Sequence, residues 1–274
     1  MSDARSDWAS LLHISKGQLA TYLLCPKRFW FQYVRGEPWE FTPANLAFGK
    51  AIHEAVAGFY RYFAQHREKP IPEEIQRVFR HSWWQQLEED GIRFFGDQNE
   101  KSLTEQGEKL LKVFHAEVRP RRVKAVESPF TVRIANPNGE QSLEAKLVGI
   151  IDLLEEDDEG SVILSELKTS SKKYSDLQGE YQLDGLVYSY AARQLGLSSS
   201  GDGQVLVRYD VLVKTKTPAF QQVYFTKEET DFNRFVRWVQ EILQAIEAQV
   251  FYPIYGWQCQ QCPFRKACWE GRNG

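Results

Sequence analysis

The chain predicts a mixed α/β fold, an α+β arrangement in which helices precede a sheet and further helices follow it. Three observations carry this. Apolar residues recur at helical spacing through most of the first 118 residues. From Val123 the pattern turns to β-type runs broken by turn residues. Helical spacing returns at Asp176 to Leu195 and at Lys227 to Ala248, with further strands between.

Bulk properties narrow the class. At 274 residues, 42% apolar and 26% charged, the chain can bury a sizeable core. The net charge of −3 excludes a globally basic nucleic-acid binder, so any such binding needs a local patch. No apolar run is long enough for a membrane span, and Met1 to Asp7 is polar rather than signal-like. A cytoplasmic protein with no membrane association is expected.

Ser15 is a suitable N-cap for a helix over Ile14 to Val34, which Pro26 should break or restart. A second helix spans about Ala44 to Arg67, with Ile52, Val56, Phe59, Tyr60 and Phe63 on its apolar side. It carries Gly49-Lys50-Ala51-Ile52-His53-Glu54, in which Gly49 leaves room one turn before His53. Taken singly, His53 reads as a helix histidine satisfied by a neighbour. Two more helices, Glu73 to Glu89 and Lys101 to Val118, carry aromatic stripes best explained as core contacts. His66, His81 and His115 have no sequence partners.

Strands are expected at Val126 to Ile134 and Leu143 to Leu154, around a turn at Asn136-Pro137-Asn138-Gly139. Arg121, Arg122 and Lys124 at the first strand read as a solvated edge. The second strand contains Gly149 and Asp152, then the acidic run Glu155 to Glu159 with Gly160, then Val162 to Thr169. This is a hairpin whose strands are nearly all apolar except at Asp152, Glu166 and Lys168. Ionised groups in buried strands need partners or a metal. Glu166 and Lys168 share a face, and a register setting Asp152 opposite Leu164 puts Asp152 on it too. Two carboxylates and an ammonium there suit a hard divalent cation beside a phosphate. A lone Glu-x-Lys more often marks a buried ion pair.

Beyond Ser170-Ser171-Lys172-Lys173, one helix is expected from Asp176 to Leu195, carrying Gln182 and Tyr188. Ser198 to Gly203 reads as a loop, and Gln204 to Lys214 and Phe220 to Phe225 as strands. Thr226 should cap the helix Lys227 to Ala248. The end holds Cys259, Cys262 and Cys268, spaced Cys-x2-Cys-x5-Cys, while Cys25 stands alone near the start. Clustered cysteines in a reducing compartment point to metal rather than disulfides, and four thiolates suit tetrahedral zinc or a [4Fe–4S] cluster.

Taken in order, Cys25, His53, Asp152, Glu166-Leu167-Lys168, Gln182 and the cysteine trio resemble the PD-(D/E)XK nuclease superfamily. Within it the chain is similar to RecB-type exonucleases with a four-cysteine iron–sulfur cluster, including those associated with CRISPR adaptation. The segment Ser15 to Phe31 resembles their opening, and both cysteine sets have a Cys-Pro step, Cys25-Pro26 and Cys262-Pro263. The resemblance implies a restriction-endonuclease-like αβββαβ core with a mixed central sheet. It also implies an inserted helical lobe over residues 68–120 and a module over 250–274 closing on Cys25, within one nuclease domain over 1–274. His53, Asp152 and Glu166, with the Leu167 carbonyl, would hold Mg²⁺ or Mn²⁺. Lys168 would assist the attacking water, and Gln182 would place the nucleic acid or water. The six-residue step from Gln182 to Tyr188 departs from the family's shorter one, leaving Tyr188 without a role. Cys25, Cys259, Cys262 and Cys268 would bind a structural [4Fe–4S] cluster.

The function these features imply is metal-dependent DNA exonuclease activity at single-stranded ends or overhangs. The alternative is a nucleic-acid-binding subunit of a CRISPR-adaptation, repair or helicase complex, with little activity of its own. Its partners would be an integrase, a helicase or other nuclease-complex subunits.

Overall fold

In the computed structural model, which describes residues 13–89, 91–135, 145–197 and 205–270, the chain sorts into two units. One draws on residues 1–40, 130–149 and 228–274, the other on residues 41–129 and 150–227. The expected turn at Asn136 to Gly139, the loop at Ser198 to Gly203 and the polar start lie outside the described residues.

The first unit begins with β1 (His13–Ser15), which runs parallel to Lys146–Val148, and α1 (Lys16–Leu24). Ser15 closes a capping box: its hydroxyl accepts from the Gln18 amide at 3.2 Å, and Gln18 Oε1 accepts from the Ser15 amide at 2.8 Å. The helix stops at Cys25, whose extended backbone precedes Pro26. A short α2 (Pro26–Phe29) follows, and a π-helical turn over Trp30–Val34. The helix breaks at Pro26 as expected, and its second part passes into the π-helical turn at Trp30.

The long helix α8 (Glu229–Glu247) also belongs to this unit. Its N-cap is Glu228 rather than Thr226, because the Asp231 carboxylate reaches back to the Glu228 amide at 3.1 Å. The chain then returns to the first helices. Tyr22 Oη donates to the Val250 carbonyl at 2.8 Å, the Lys27 amide donates to the Tyr252 carbonyl at 3.0 Å, and Phe29 stacks on Phe251. The short α9 (Arg265–Glu270) carries the last cysteine.

The second unit opens with β2 (Thr42–Pro43) and α3 (Ala44–His66), which packs on α4 (Pro72–Glu88). After β3 (Ile92–Arg93) comes α5 (Glu100–Glu117), capped by Asn99. Two strands then run through both units, β4 (Arg122–Arg133) and β5 (Lys146–Glu156). They are followed by β6 (Val162–Ser170), α6 (Asp176–Tyr181), α7 (Leu183–Gln194), β7 (Leu206–Val213) and β8 (Ala219–Phe225). The strand order is β5–β6–β7–β8, with β4 beside β5. The β6–β7 pair is parallel and its neighbours are antiparallel, so the sheet is mixed. Helix, three strands, helix and strand follow one another as α3, β4–β6, α6–α7 and β7, the expected αβββαβ order with α4 and α5 inserted.

Two faces of this sheet are covered. Leu153, Leu167 and Leu212 join the α3–α5 core of Ile52, Phe59, Phe79, Trp83 and Phe114. Tyr209, Val211 and Val213 project to the opposite face, as alternation requires. The helix expected over Asp176 to Leu195 is broken at Gln182, whose extended backbone (φ −71°, ψ 138°) ends α6 and starts α7. Among the described residues, no helix is long and apolar enough to cross a membrane.

Candidate active site

The β5–β6 register pairs Leu153 with Ser165 and Leu154 with Leu164. The next pair in this register is Asp152 with Glu166, two residues along from the expected Asp152–Leu164 pairing. A two-residue shift preserves the face, because side chains alternate with a period of two. The ladder gives out at Asp152, where the side chain takes over: Asp152 Oδ2 accepts from the Leu167 amide at 2.9 Å. That bond turns the carboxylate toward α3, where His53 Nδ1 lies 3.5 Å from the same oxygen. His53 is one third exposed and Asp152 half as much.

Glu127 joins these two. One ligand atom from each of His53, Glu127 and Asp152 lies within 4.8 Å of the others. Glu127 sits in β4 with φ +50°, a left-handed backbone uncommon for any residue but glycine. Burial pushes its carboxyl above the ordinary range. Arg61 opposes that rise, and Glu54 and Glu166 add to it. The cleft they line also contains Val56, Tyr60, Ser165, Leu167 and Asp210.

Glu166 is not part of that triad. It is buried, and its Oε1 accepts from Lys168 Nζ at 2.8 Å. The ammonium is also 3.0 Å from Asp184 Oδ1 in the first turn of α7. Gly185 makes this approach possible: a Cβ there would lie 2.6 Å from the Phe225 ring and 3.0 Å from Tyr209 Oη. Tyr209 pairs with Glu166 across β6–β7, and burial, then the Asp184 and Glu166 charges, hold its phenol protonated. So Lys168 is held between Glu166 and Asp184, while His53, Asp152 and Glu127 come together where the Leu167 amide fixes the Asp152 carboxylate.

The expected roles meet this geometry unevenly. Gln182 caps two helices two residues before Asp184, and it is Asp184 that reaches Lys168. Tyr188 is buried within α7. Gly49 makes no close approach, since a Cβ there would meet nothing nearer than Thr169 Oγ1 at 4.0 Å. Gly149 does: a Cβ would lie 2.7 Å from the Phe130 ring. The basic trio at β4 is not merely solvated, as Arg122 and Lys124 bind Glu156 at 2.8 and 2.9 Å.

Beneath the cleft is a buried ionic group. Arg208 makes two 2.8 Å bonds to Asp210 and lies 2.7 Å from Glu155. Burial alone would lower the Arg208 pKa, but the Asp210 and Glu155 carboxylates more than offset it and keep the guanidinium charged. Gln222 donates to Asp210 at 2.9 Å, and the Arg121 amide to Glu155 at 2.7 Å.

In the first unit, Cys25, Cys259, Cys262 and Cys268 line one pocket. The Ile254 amide points at Cys25 Sγ at 3.4 Å. Burial pushes the Cys262 thiol up, while the Phe264 amide and Arg28 oppose it. Among the described residues, no three of these sulfurs fall within 4.8 Å of one another. Thiolates 2.3 Å from a tetrahedral zinc would be ~3.8 Å apart. A cubane is larger than a single ion and holds its thiolates further apart.

Carboxylate oxygens suit Mg²⁺ or Mn²⁺, while an imidazole suits a transition-metal ion such as Mn²⁺ better than Mg²⁺. Ligand atoms ~2.1 Å from such an ion lie ~3 Å apart when adjacent and ~4.2 Å apart when opposite. The 3.5 Å between His53 and Asp152 falls between these values. The family model of the PD-(D/E)XK nuclease superfamily matches residues 13–269, and the chain belongs to that superfamily.

A solved structure from Eubacterium rectale, described as a candidate exonuclease, aligns with a TM-score of 0.56 at 12% identity. The alignment covers 97% of this chain and 93% of the other, and at that identity the likeness is one of fold. Another solved structure, SSO0001, aligns at 16% identity over 95% of each chain with a TM-score of 0.32. No curated protein matches the chain.

Proposed function

We propose that this nuclease is a metal-dependent exonuclease of DNA, acting at single-stranded ends or overhangs. The observation that carries the reading is the meeting of His53 of α3 with Asp152 of β5 at 3.5 Å, on the strand next to the one that bears the Glu166–Lys168 pair. His53, Asp152 and Glu166, with the Leu167 carbonyl, are the groups that would hold Mg²⁺ or Mn²⁺. A divalent cation in that position supplies positive charge for the phosphate oxygens and acidifies a bound water.

The chain's own groups do the rest. The Leu167 amide fixes the Asp152 carboxylate in one orientation. Glu166 and Asp184 hold the Lys168 ammonium at the edge of the site, where it meets a phosphate or the attacking water. Gln182, at the start of α7, would steady the strand being cut.

We read the four cysteines as ligands of a structural [4Fe–4S] cluster tying Cys25 to the C-terminal segment. The lining of one pocket by all four cysteines supports a shared metal group. Integrase or helicase subunits remain the partners the resemblance implies, within one nuclease domain stapled by the cysteine module.

The test is end-labelled single-stranded and duplex DNA incubated with purified protein and Mn²⁺. Loss of label as mononucleotides or short oligonucleotides, abolished by EDTA and by Lys168→Ala, is expected. Full cleavage by Lys168→Ala, or none by the unaltered protein on either substrate, overturns the reading.

A further inference from the structure

Glu127 carries no motif, yet three observations single it out. Its carboxylate stands with His53 and Asp152 within 4.8 Å, close enough for one ion. Its backbone is left-handed at φ +50° inside a strand, and burial no longer alternates at Val126–Ser128. A conformation of that kind is kept only where the surroundings enforce it. No described residue forms a hydrogen bond or ion pair with Glu127, although burial already disfavours its charged form.

A separate observation points to a ligand at this cleft. Two hydroxyls line the same cleft, Tyr60 Oη and Ser165 Oγ, each on a residue only 2% exposed. Neither has a hydrogen-bond partner among the described residues. Buried hydroxyls are ordinarily satisfied, so a polar guest belongs in the cleft. A hydrated cation held by these ligands would bring water into the cleft that both hydroxyls line.

We infer that Glu127 is a further protein ligand of the site's cation and sets how tightly it binds. The residue would close the His53–Asp152 pair from β4. The inference rests on the metal-dependent reading above, and the test separates the two.

Mn²⁺ is titrated into the full-length protein, with no DNA present, by calorimetry and by the loss of free-Mn²⁺ paramagnetic signal. Unaltered protein is compared with Glu127→Gln, Glu127→Asn and Glu54→Gln; each is checked by circular dichroism and thermal melting. Asparagine tolerates a left-handed backbone, so the second variant covers a failure of the first to fold. Both Glu127 variants should bind Mn²⁺ at least tenfold more weakly, while Glu54→Gln, which removes a nearby exposed charge, stays within twofold. Equal affinity in the Glu127 variants overturns the inference while leaving the metal reading intact. Equal weakening by Glu54→Gln also overturns it, since diffuse charge would then suffice. No Mn²⁺ binding by the unaltered protein removes the metal reading and the inference with it.

Discussion

The Leu167 amide donates to Asp152 Oδ2 at 2.9 Å, so one backbone group between Glu166 and Lys168 aims the carboxylate of the neighbouring strand. This bond joins the two halves of the Asp and Glu-x-Lys motif, and it predicts that the halves separate in mutants. Asp152→Asn keeps an acceptor oxygen for the amide and should fold and melt like the unaltered protein, with cleavage lowered at least 100-fold. Asp152→Ala should cost about 1–3 kcal/mol in addition. Urea unfolding alongside the DNA assay distinguishes them; equal stabilities would mean the bond is not maintained in solution.

Asp184 supplies a prediction of its own. With Glu166 it holds Lys168 from two sides, at 3.0 and 2.8 Å. Asp184→Asn should leave the ammonium tethered by Glu166 alone and lower the cleavage rate about tenfold, with little change in DNA affinity. A Gly185→Ala exchange should act in the same direction, by pushing α7 off Phe225 and Tyr209. Rates unchanged in both would show that Lys168 needs no such positioning.

The ionic group of Arg208, Asp210 and Glu155 is the main buried polar element near the site. Arg208→Met leaves two carboxylates facing each other without a cation and should cost about 3–5 kcal/mol. Chemical denaturation measures this directly. A loss under 1 kcal/mol would mean the carboxylates take up protons at little cost.

Much of this was legible beforehand. The helices over Ala44–His66, Pro72–Glu88 and Glu100–Glu117 follow apolar stripes that packing against the sheet rewards, and the hairpin follows its acidic turn. Its register was two residues off, because an apolar pattern of period two fixes the face and not the pairing. The break at Gln182 has no proline to announce it, and the glycines on either side, Gly179 and Gly185, fall within the two helices. Glu127 and Asp184 were invisible for a different reason. A glutamate with positive φ carries no compositional signal, and Asp184 meets Lys168 only once α7 lies on the sheet.

The cysteine pocket is tested by its contents. Protein purified without oxygen should be brown and carry about four irons per chain, and Cys25→Ser should lose colour and iron together. Thermal melting should fall as well, since the N-terminal helices lose their tie to the C-terminal segment. A colourless protein holding one zinc would contradict this.

The most direct test of the central claim is a crystal soaked in Mn²⁺ and measured at the manganese absorption edge. The account predicts one anomalous peak within about 2.3 Å of both a His53 nitrogen and an Asp152 oxygen. A peak elsewhere, with His53 and Asp152 hydrogen-bonded directly to each other, would contradict it.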